Sequence, residues 1–308
     1  MKVLITGATG LVGANLSALL KNNGVSVNYL STSKEKLASD TSGNGYYWNP
    51  LTGEIDSESM RDVDIIIHLA GATVAKRWTK AYKKEILSSR IQTAELLYST
   101  LSKTHNKVRQ VISASAIGIY PDSLETVYTE DSNLEAHDFL GTVVQQWEKS
   151  ADKFTALNIK VCKLRTGLVL AREGGALVQM IKPIRIGLGA AFGTGKQIQS
   201  WIHIDDLSEM YFYAAQKALE GTYNAVAPNP VSNMQLTSII AKLLDRPLIL
   251  PKIPKFAMKL ILGEMHTLLF ASQNVSAKKI ISEGFQFKYA SATDALSELL
   301  ANKKAPLS

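Results

Sequence analysis

The stretch Val3-Leu4-Ile5-Thr6-Gly7-Ala8-Thr9-Gly10-Leu11-Val12-Gly13 constrains the fold more than any other part of the chain. A short apolar run enters three glycines spaced three apart, and a helical apolar pattern follows at Val12, Leu16, Leu19 and Leu20. Gly24 stands where a helix end favours a left-handed residue. The pattern predicts strand, tight turn and helix. Gly7 lets the chain turn sharply off the strand. Gly10, lacking a Cβ, lets a diphosphate approach the backbone, and Gly13 lets the helix pack closely on the strand. Thr9, Leu11 and Val12 belong to the same candidate phosphate turn. The first N–H groups of the helix and its dipole favour an anion there. In this setting the glycines point to a dinucleotide; the alternative is a strand-turn-helix that binds nothing.

Of the 308 residues, 46% are hydrophobic and 20% charged, which suits a globular chain of one large domain or two. No apolar run reaches the ~18 residues of a membrane span. The apolar N-terminus is broken by Gly7, Gly10 and Gly13 and reads as a core strand, not a signal peptide. A cytoplasmic protein with no membrane partner is expected. The single cysteine, Cys162, lies in an alternating stretch and reads as a buried thiol. The net charge of +7 and pI near 9.2 suit a phosphorylated cofactor or substrate, nucleic acid, or solubility alone. Without zinc-ligand spacing or an RNA-binding aromatic motif, nucleic acid is not the expected partner. A small, anionic substrate is, and a homo-oligomer stays open. No metal site is expected, because His203 beside Asp205 and Asp206 lacks the ligand count.

Val25–Leu30 alternates as a second strand. An acid at its end would bond both ribose hydroxyls and repel a 2′-phosphate. The chain instead has Ser31-Thr32-Ser33-Lys34-Glu35-Lys36, which favours NADP over NAD. Lys34 and Lys36 also read as solvated charges opening a helix. Residues 41–57 read as a loop with at most one short strand. Asp64–Ala72 is a strand buried on both faces, as in a parallel sheet, and its small end, Ala70 and Gly71, lets a cofactor lie against the backbone. His68, inside the apolar run, reads as a core histidine. A helix over 79–102 carries Glu85 and Arg90, which reach the cofactor or form a surface ion pair.

The strand Val108–Ala116 ends near Ser113, Ser115 and Tyr120, where open α/β sheets bind ligands. A helix around 141–152 and a strand ending Leu164-Arg165-Thr166-Gly167 follow. Gly174-Gly175 and Gly187–Lys196 are flexible by composition; the second is either a lid, with Arg185 and Lys196 to hold an anion, or an exposed loop. Trp201–Asp206 leads into a helix that one aspartate can cap. A strand over 222–226, a helix near 234–244 and short amphipathic segments complete a small α-rich C-terminal part.

These residues resemble the extended short-chain dehydrogenase/reductases. Gly7-Ala8-Thr9-Gly10-Leu11-Val12-Gly13 is similar to their glycine motif and His68-Leu69-Ala70-Gly71 to their fourth-strand motif. Lys76–Thr79, Ser89–Ile91, Ser113–Gly118, Leu164–Gly167, Gly187–Gly189, Trp201–Asp206 and Gly284-Phe285 resemble more closely an atypical group: the epimerase family proteins, nucleoside-diphosphate-sugar epimerase-like, with a C-terminal domain of unknown function 1731. The resemblance covers nearly the whole chain. It implies NADP(H) contacts at Ser31, Thr32, Leu69, Ala70, Glu85, Arg90 and near Leu164. Many relatives have an arginine in the place of Thr32. The superfamily's Tyr-x-x-x-Lys pair, in which the lysine lowers the tyrosine pKa for proton transfer, is missing. Counting back from Glu148 puts Leu140 and Val144 in its places. Ser115 holds the usual serine position; Tyr120, the nearest phenol, either substitutes or walls the pocket.

The expected fold is α/β, a Rossmann-type parallel sheet with helices on both faces and a small α-rich C-terminal domain. Residues 1–225 would bind NAD(P), with 170–203 contributing to the cleft, and 226–308 would form the substrate side. The expected function is an NADP-dependent oxidoreductase or epimerase-like enzyme on a small hydroxyl or carbonyl substrate such as a nucleotide sugar. An NADP(H) sensor without turnover is the rival reading.

Overall fold

The computed structural model describes residues 1–38 and 44–301. Part of the expected 41–57 loop, residues 41–43, lies outside them, as does the extreme C-terminus of the expected 226–308 domain. The chain divides into two compact units, each described by itself. The first comprises Met1–Ile119, His137–Arg165 and Ser208–Tyr223; the second comprises Tyr120–Ala136, Thr166–Leu207 and Asn224–Ser308.

The first unit is built on an eight-stranded sheet. β1 (Lys2–Thr6), β2 (Ser26–Ser31), β3 (Gly45–Asn49), β4 (Glu54–Ile55), β5 (Ile65–His68) and β6 (Gln110–Ala116) are joined by the strands Lys160–Thr166 and Gly221–Ala225. The spatial order is Gly221–Ala225, Lys160–Thr166, β6, β5, β1, β2, β3, β4. β1 pairs parallel with both β2 and β5, placing Val3 beside Val27 and Ile65. Strand order reverses at β1, the place where Rossmann-type sheets bind ligands. Helices α1 (Leu11–Asn22), α2 (Lys34–Ala38), α3 (Lys80–Lys103) and α4 (Phe139–Asp152) connect the strands. The near-continuous apolar runs of β1 and β5 follow from burial on both faces. Leu4, Leu30, Ile66, Val111 and Val161 pack in one core with Leu97 and Phe154. Truncating any such leucine to alanine costs about 2–5 kcal/mol.

Residues 45–55 form more strand than expected. β3 pairs parallel with β2, and β4 returns antiparallel on β3. The turn between them holds Pro50, Thr52 and Gly53, the last at φ +73°. Trp48 is buried and carries β3 into the core.

The second unit has its own core, in which Leu170, Leu177, Ile181 and Trp201 meet Leu236, Ile240 and Leu296. Gly174-Gly175 opens a helix, Gly175–Arg185, with Gly174 at its N-cap at φ +76°. The helix after Trp201 runs Ile204–Gln216. Of the two aspartates, either of which was free to cap it by sequence, Asp206 is engaged elsewhere. Its carboxylate accepts the backbone N–H groups of Lys288 and Tyr289 at 2.8 and 2.9 Å. His203 Nδ1 instead accepts the N–H of Asp205 at 3.1 Å. Further helices at Asn233–Leu243, Lys255–Leu262 and Ala292–Leu300 make the C-terminal region α-rich. No helix among the described residues is long and apolar enough to cross a membrane.

Candidate dinucleotide site

The turn after β1 is closed by the Gly10 N–H, which donates to Gly7 O at 3.0 Å. Gly7 has φ +73°, a conformation that disfavours side chains, and a Cβ there would press on the Leu69–Ala70 backbone at 3.1 Å. At Gly13 a Cβ would sit 2.2 Å from Gly7 O, so only glycine lets α1 lie this close to the turn. Gly10 meets nothing closer than 3.3 Å and leaves its outer side open. α1 starts with Gly10 at its N-cap, no side-chain cap and no acid in its first turn. Its first N–H groups, from Leu11 to Gly13, are therefore available to an anion, and Thr9 and Leu11 are exposed beside them. A tight glycine turn open at Gly10, topped by an uncapped helix end, fits a diphosphate.

The floor beside this cradle is fixed by Thr6, which sequence reasoning passed over. Its Oγ1 accepts the N–H groups of Leu69 and Ala70, both at 3.1 Å. It lies 2.7 Å from His68 Nδ1, and His68 Nε2 lies 3.3 Å from Thr93 Oγ1. His68 is thus a satisfied core histidine. Burial, then the nearby Arg90 charge, depress its pKa to about 4.

Arg90 is partly buried on α3. Its Nη1 donates to Ala72 O at 3.1 Å and Ile86 O at 2.8 Å, and its guanidinium lies 4.7 Å over the Trp147 ring. Its aliphatic stem covers Gly71, where a Cβ would come within 3.1 Å. Nε has no hydrogen-bond partner among the described residues. Burial lowers its pKa to about 10. It is not the surface ion pair that sequence allowed: a desolvated cation with a spare donor suits an anionic ligand.

At the end of β2, Ser31 is buried and Thr32 exposed. Ser31 Oγ accepts the Ser33 N–H at 3.1 Å. Lys36 reaches back from α2, its Nζ 3.4 Å from Thr9 Oγ1, while Lys34 lies 4.6 Å over the Tyr47 ring. Lys36 therefore stands beside the phosphate turn rather than apart in solvent. Glu85 is exposed on α3. Leu164 is fully buried, backbone and side chain alike.

Ser115 is buried at the end of β6. It donates to Glu148 Oε1 at 2.6 Å, and Glu148 is gripped by Arg165 through Nε at 2.8 Å and Nη2 at 2.9 Å. Lys163 adds a cation 3.8 Å away. Burial by itself would raise the Glu148 pKa; the Arg165 fork, the Ser115 hydroxyl and Lys163 outweigh it and hold the carboxyl below its ordinary value. Glu148 is a functional candidate that sequence reasoning used only as a counting mark. The position one helical turn beyond Val144 was the available signal. Leu140 and Val144 flank Gly118 at 3.6 and 3.9 Å from where its Cβ would be, as apolar packing. Tyr120, in the second unit, is buried; its hydroxyl donates to Asn224 Oδ1 at 2.8 Å and its ring stacks on Tyr128.

A mostly parallel sheet reversing at β1, with a glycine turn and an uncapped helix end beside it, defines a Rossmann-type nucleotide-binding domain. The chain belongs to the NAD dependent epimerase/dehydratase family, whose profile matches residues 3–226; a domain of unknown function, DUF1731, matches residues 253–299. It is 37% identical over 305 residues to the epimerase family protein YfhF of Bacillus subtilis, covering 99% of each chain. Among solved structures it is similar to the human epimerase family protein SDR39U1 with NADPH, with a TM-score of 0.87 and 28% identity over 98% of this chain and 100% of that one. It is similar too to the nucleoside-diphosphate sugar epimerase of Corynebacterium glutamicum, with a TM-score of 0.78 and 30% identity over 97% of this chain and 58% of that one.

Proposed function

We propose that this chain is an NADP(H)-dependent oxidoreductase or epimerase-like enzyme acting on a small hydroxyl- or carbonyl-bearing substrate, with nucleotide sugars the first class to test. The observation that carries the reading is the uncapped start of α1 above a turn that is closed to a Cβ at Gly7 and Gly13 and open at Gly10. Leu11, Val12 and Gly13 would hold the diphosphate through backbone N–H groups. Arg90 would add a donor, and Ser31, Thr32 and Lys36 would take the 2′-phosphate. Leu69, Ala70 and Gly71 would leave room for the dinucleotide against the backbone, with Glu85 and the chain near Leu164 at its margins. When bound, NADP(H) supplies the hydride donor or acceptor. In this reading residues 1–225 carry the cofactor and 226–308 the substrate side.

Ser115 is the residue proposed to meet the reacting oxygen. Its own proton lies on the Glu148 side, so its lone pairs suit a substrate hydroxyl better than a carbonyl. Tyr120 fits the structural role better than the catalytic one, because its phenol is committed to Asn224.

The second reading is an NADP(H)-binding sensor without turnover. It is favoured by apolar Leu140 and Val144 where the superfamily has its proton-transfer pair, and by the engagement of the Ser115 hydroxyl. NADPH oxidation with ketones and aldehydes, NADP+ reduction with nucleotide sugars, and analysis of those sugars for a new epimer together separate the two. The enzyme reading expects at least one substrate to draw hydride at a steady rate. Tight NADPH binding with no hydride transfer to or from any compound, and no epimer formed, overturns it in favour of the sensor.

A further inference from the structure

In the second unit, the helix Lys255–Leu262 keeps Ala257, Met258 and Leu262 half-buried and leaves most of its surface in solvent, with Ile261 66% exposed beside a continuous open arc. At 100° per residue that arc carries Lys255, Lys259, Phe256 and Leu260 in angular order. Phe256 is 69% and Leu260 79% exposed. The helix buries no residue fully. Such large apolar side chains, standing adjacent and uncovered, mark a surface that meets something other than water.

The segments that lead into the helix also expose large apolar side chains. The helix is entered from Ile253, whose N–H donates to Ala191 O at 2.9 Å and whose carbonyl accepts from Gly193 N–H at 2.8 Å. Arg246 Nε donates to Arg185 O at 3.0 Å, so the segments 185–193 and 246–253 are tied at both ends. They expose Ile186 at 72% and Ile249 at 75%. From Arg246 through Leu262 the chain has four cations and no acid, and from Gly174 through Lys196 three cations and no acid.

We propose that this face docks on an anionic lipid bilayer surface, with Phe256 and Leu260 entering the headgroup boundary and Lys255 and Lys259 beside anionic headgroups. A run too short to span a bilayer is long enough to lie in its interface. The choice of a membrane over a protein partner rests on the lysines. Lysine is depleted in protein–protein interfaces, whereas lysines interleaved with exposed aromatic and leucine side chains suit an anionic bilayer. The inference is independent of the cofactor reading.

The test is flotation of the purified full chain with vesicles of phosphatidylcholine, pure or containing about a third phosphatidylglycerol. The protein is expected to float with the anionic vesicles and to stay behind with the neutral ones. Binding should weaken in concentrated salt, which shortens the screening length. The double change Phe256→Ser with Leu260→Ser should abolish flotation. Lys255→Gln and Lys259→Gln should each weaken it about fivefold. These side chains are exposed, so an unaltered cooperative melt by circular dichroism is expected for all variants. Absence of flotation on anionic vesicles overturns the proposal, as does full binding by the Phe256→Ser, Leu260→Ser chain. A wild-type dimer in solution that this double change dissolves, with no vesicle binding, assigns the face to a second copy and equally overturns it.

Discussion

Thr6 Oγ1 lies 2.7 Å from His68 Nδ1, joining the ends of neighbouring strands β1 and β5 under the glycine turn. The same oxygen accepts the N–H groups of Leu69 and Ala70, so its own proton goes to the imidazole. His68 is thereby neutral, with its proton on Nε2 facing Thr93. One hydroxyl fixes the backbone that the proposed cofactor would lie on.

This arrangement makes stability depend on pH. The folded His68 pKa is about 4, below the ordinary value of 6.5. The unfolded chain therefore takes up the proton first as pH falls. Stabilisation from the neutral ring is complete above 6.5 and is lost as pH drops from 6.5 towards 4, by at most about 3 kcal/mol. Denaturant melts of the wild type and His68→Gln across this range should show a shallower acid loss in the variant. Parallel pH profiles would remove His68 as the cause.

The Glu148–Arg165 pair predicts a non-additive pattern. Arg165→Met leaves Glu148 buried without its fork and should cost about 3–5 kcal/mol. Adding Glu148→Gln to that variant should recover part of the loss, because no lone buried charge remains. Urea melts of Arg165→Met, Glu148→Gln, the double variant and the wild type measure the coupling. Additive losses would mean that the 2.8 and 2.9 Å contacts contribute no coupling energy.

The glycines of the turn should separate folding from binding. Gly13→Ala puts a Cβ 2.2 Å from Gly7 O and should destabilise the fold by several kcal/mol, on the order of an overpacked core. Gly10→Val occupies the open side of the turn and should leave the chain folded while removing NADPH-induced stabilisation. That stabilisation should be about 2.7 kcal/mol at a hundred times the dissociation constant. A normal NADPH shift in folded Gly10→Val would move the diphosphate elsewhere.

Cofactor selectivity should reside partly in Lys36, whose Nζ stands 3.4 Å from Thr9 Oγ1. Lys36→Gln should weaken NADPH about tenfold, the worth of one charge-assisted contact, and leave NADH unchanged. Calorimetric titration with both nucleotides decides this. An equal loss for both would place Lys36 on the diphosphate and not on the 2′-phosphate.

Much of the sheet was legible because its signals are local. Val3–Gly13 carries strand, turn and helix in eleven consecutive residues, and the unbroken apolar run at Ile65–Ile67 announces a strand buried on both faces. β3 was less legible, because its pairing with β2 is a tertiary fact and its flanks read as loop. The partners of Thr6 and Glu148 were illegible for the same reason. Thr6 meets its histidine 62 residues away, and Glu148 meets Ser115 33 residues away. The open arc at Phe256 and Leu260 has helical spacing like any core-facing stripe, and only packing shows it uncovered.

The most direct measurement is a crystal structure of the full chain grown with NADPH. The account predicts the pyrophosphate at the start of α1, accepting from the N–H groups of Leu11 and Val12, with the Arg90 guanidinium turned towards the nucleotide. An empty turn with the nucleotide bound elsewhere, or no nucleotide at saturating concentration, would contradict it.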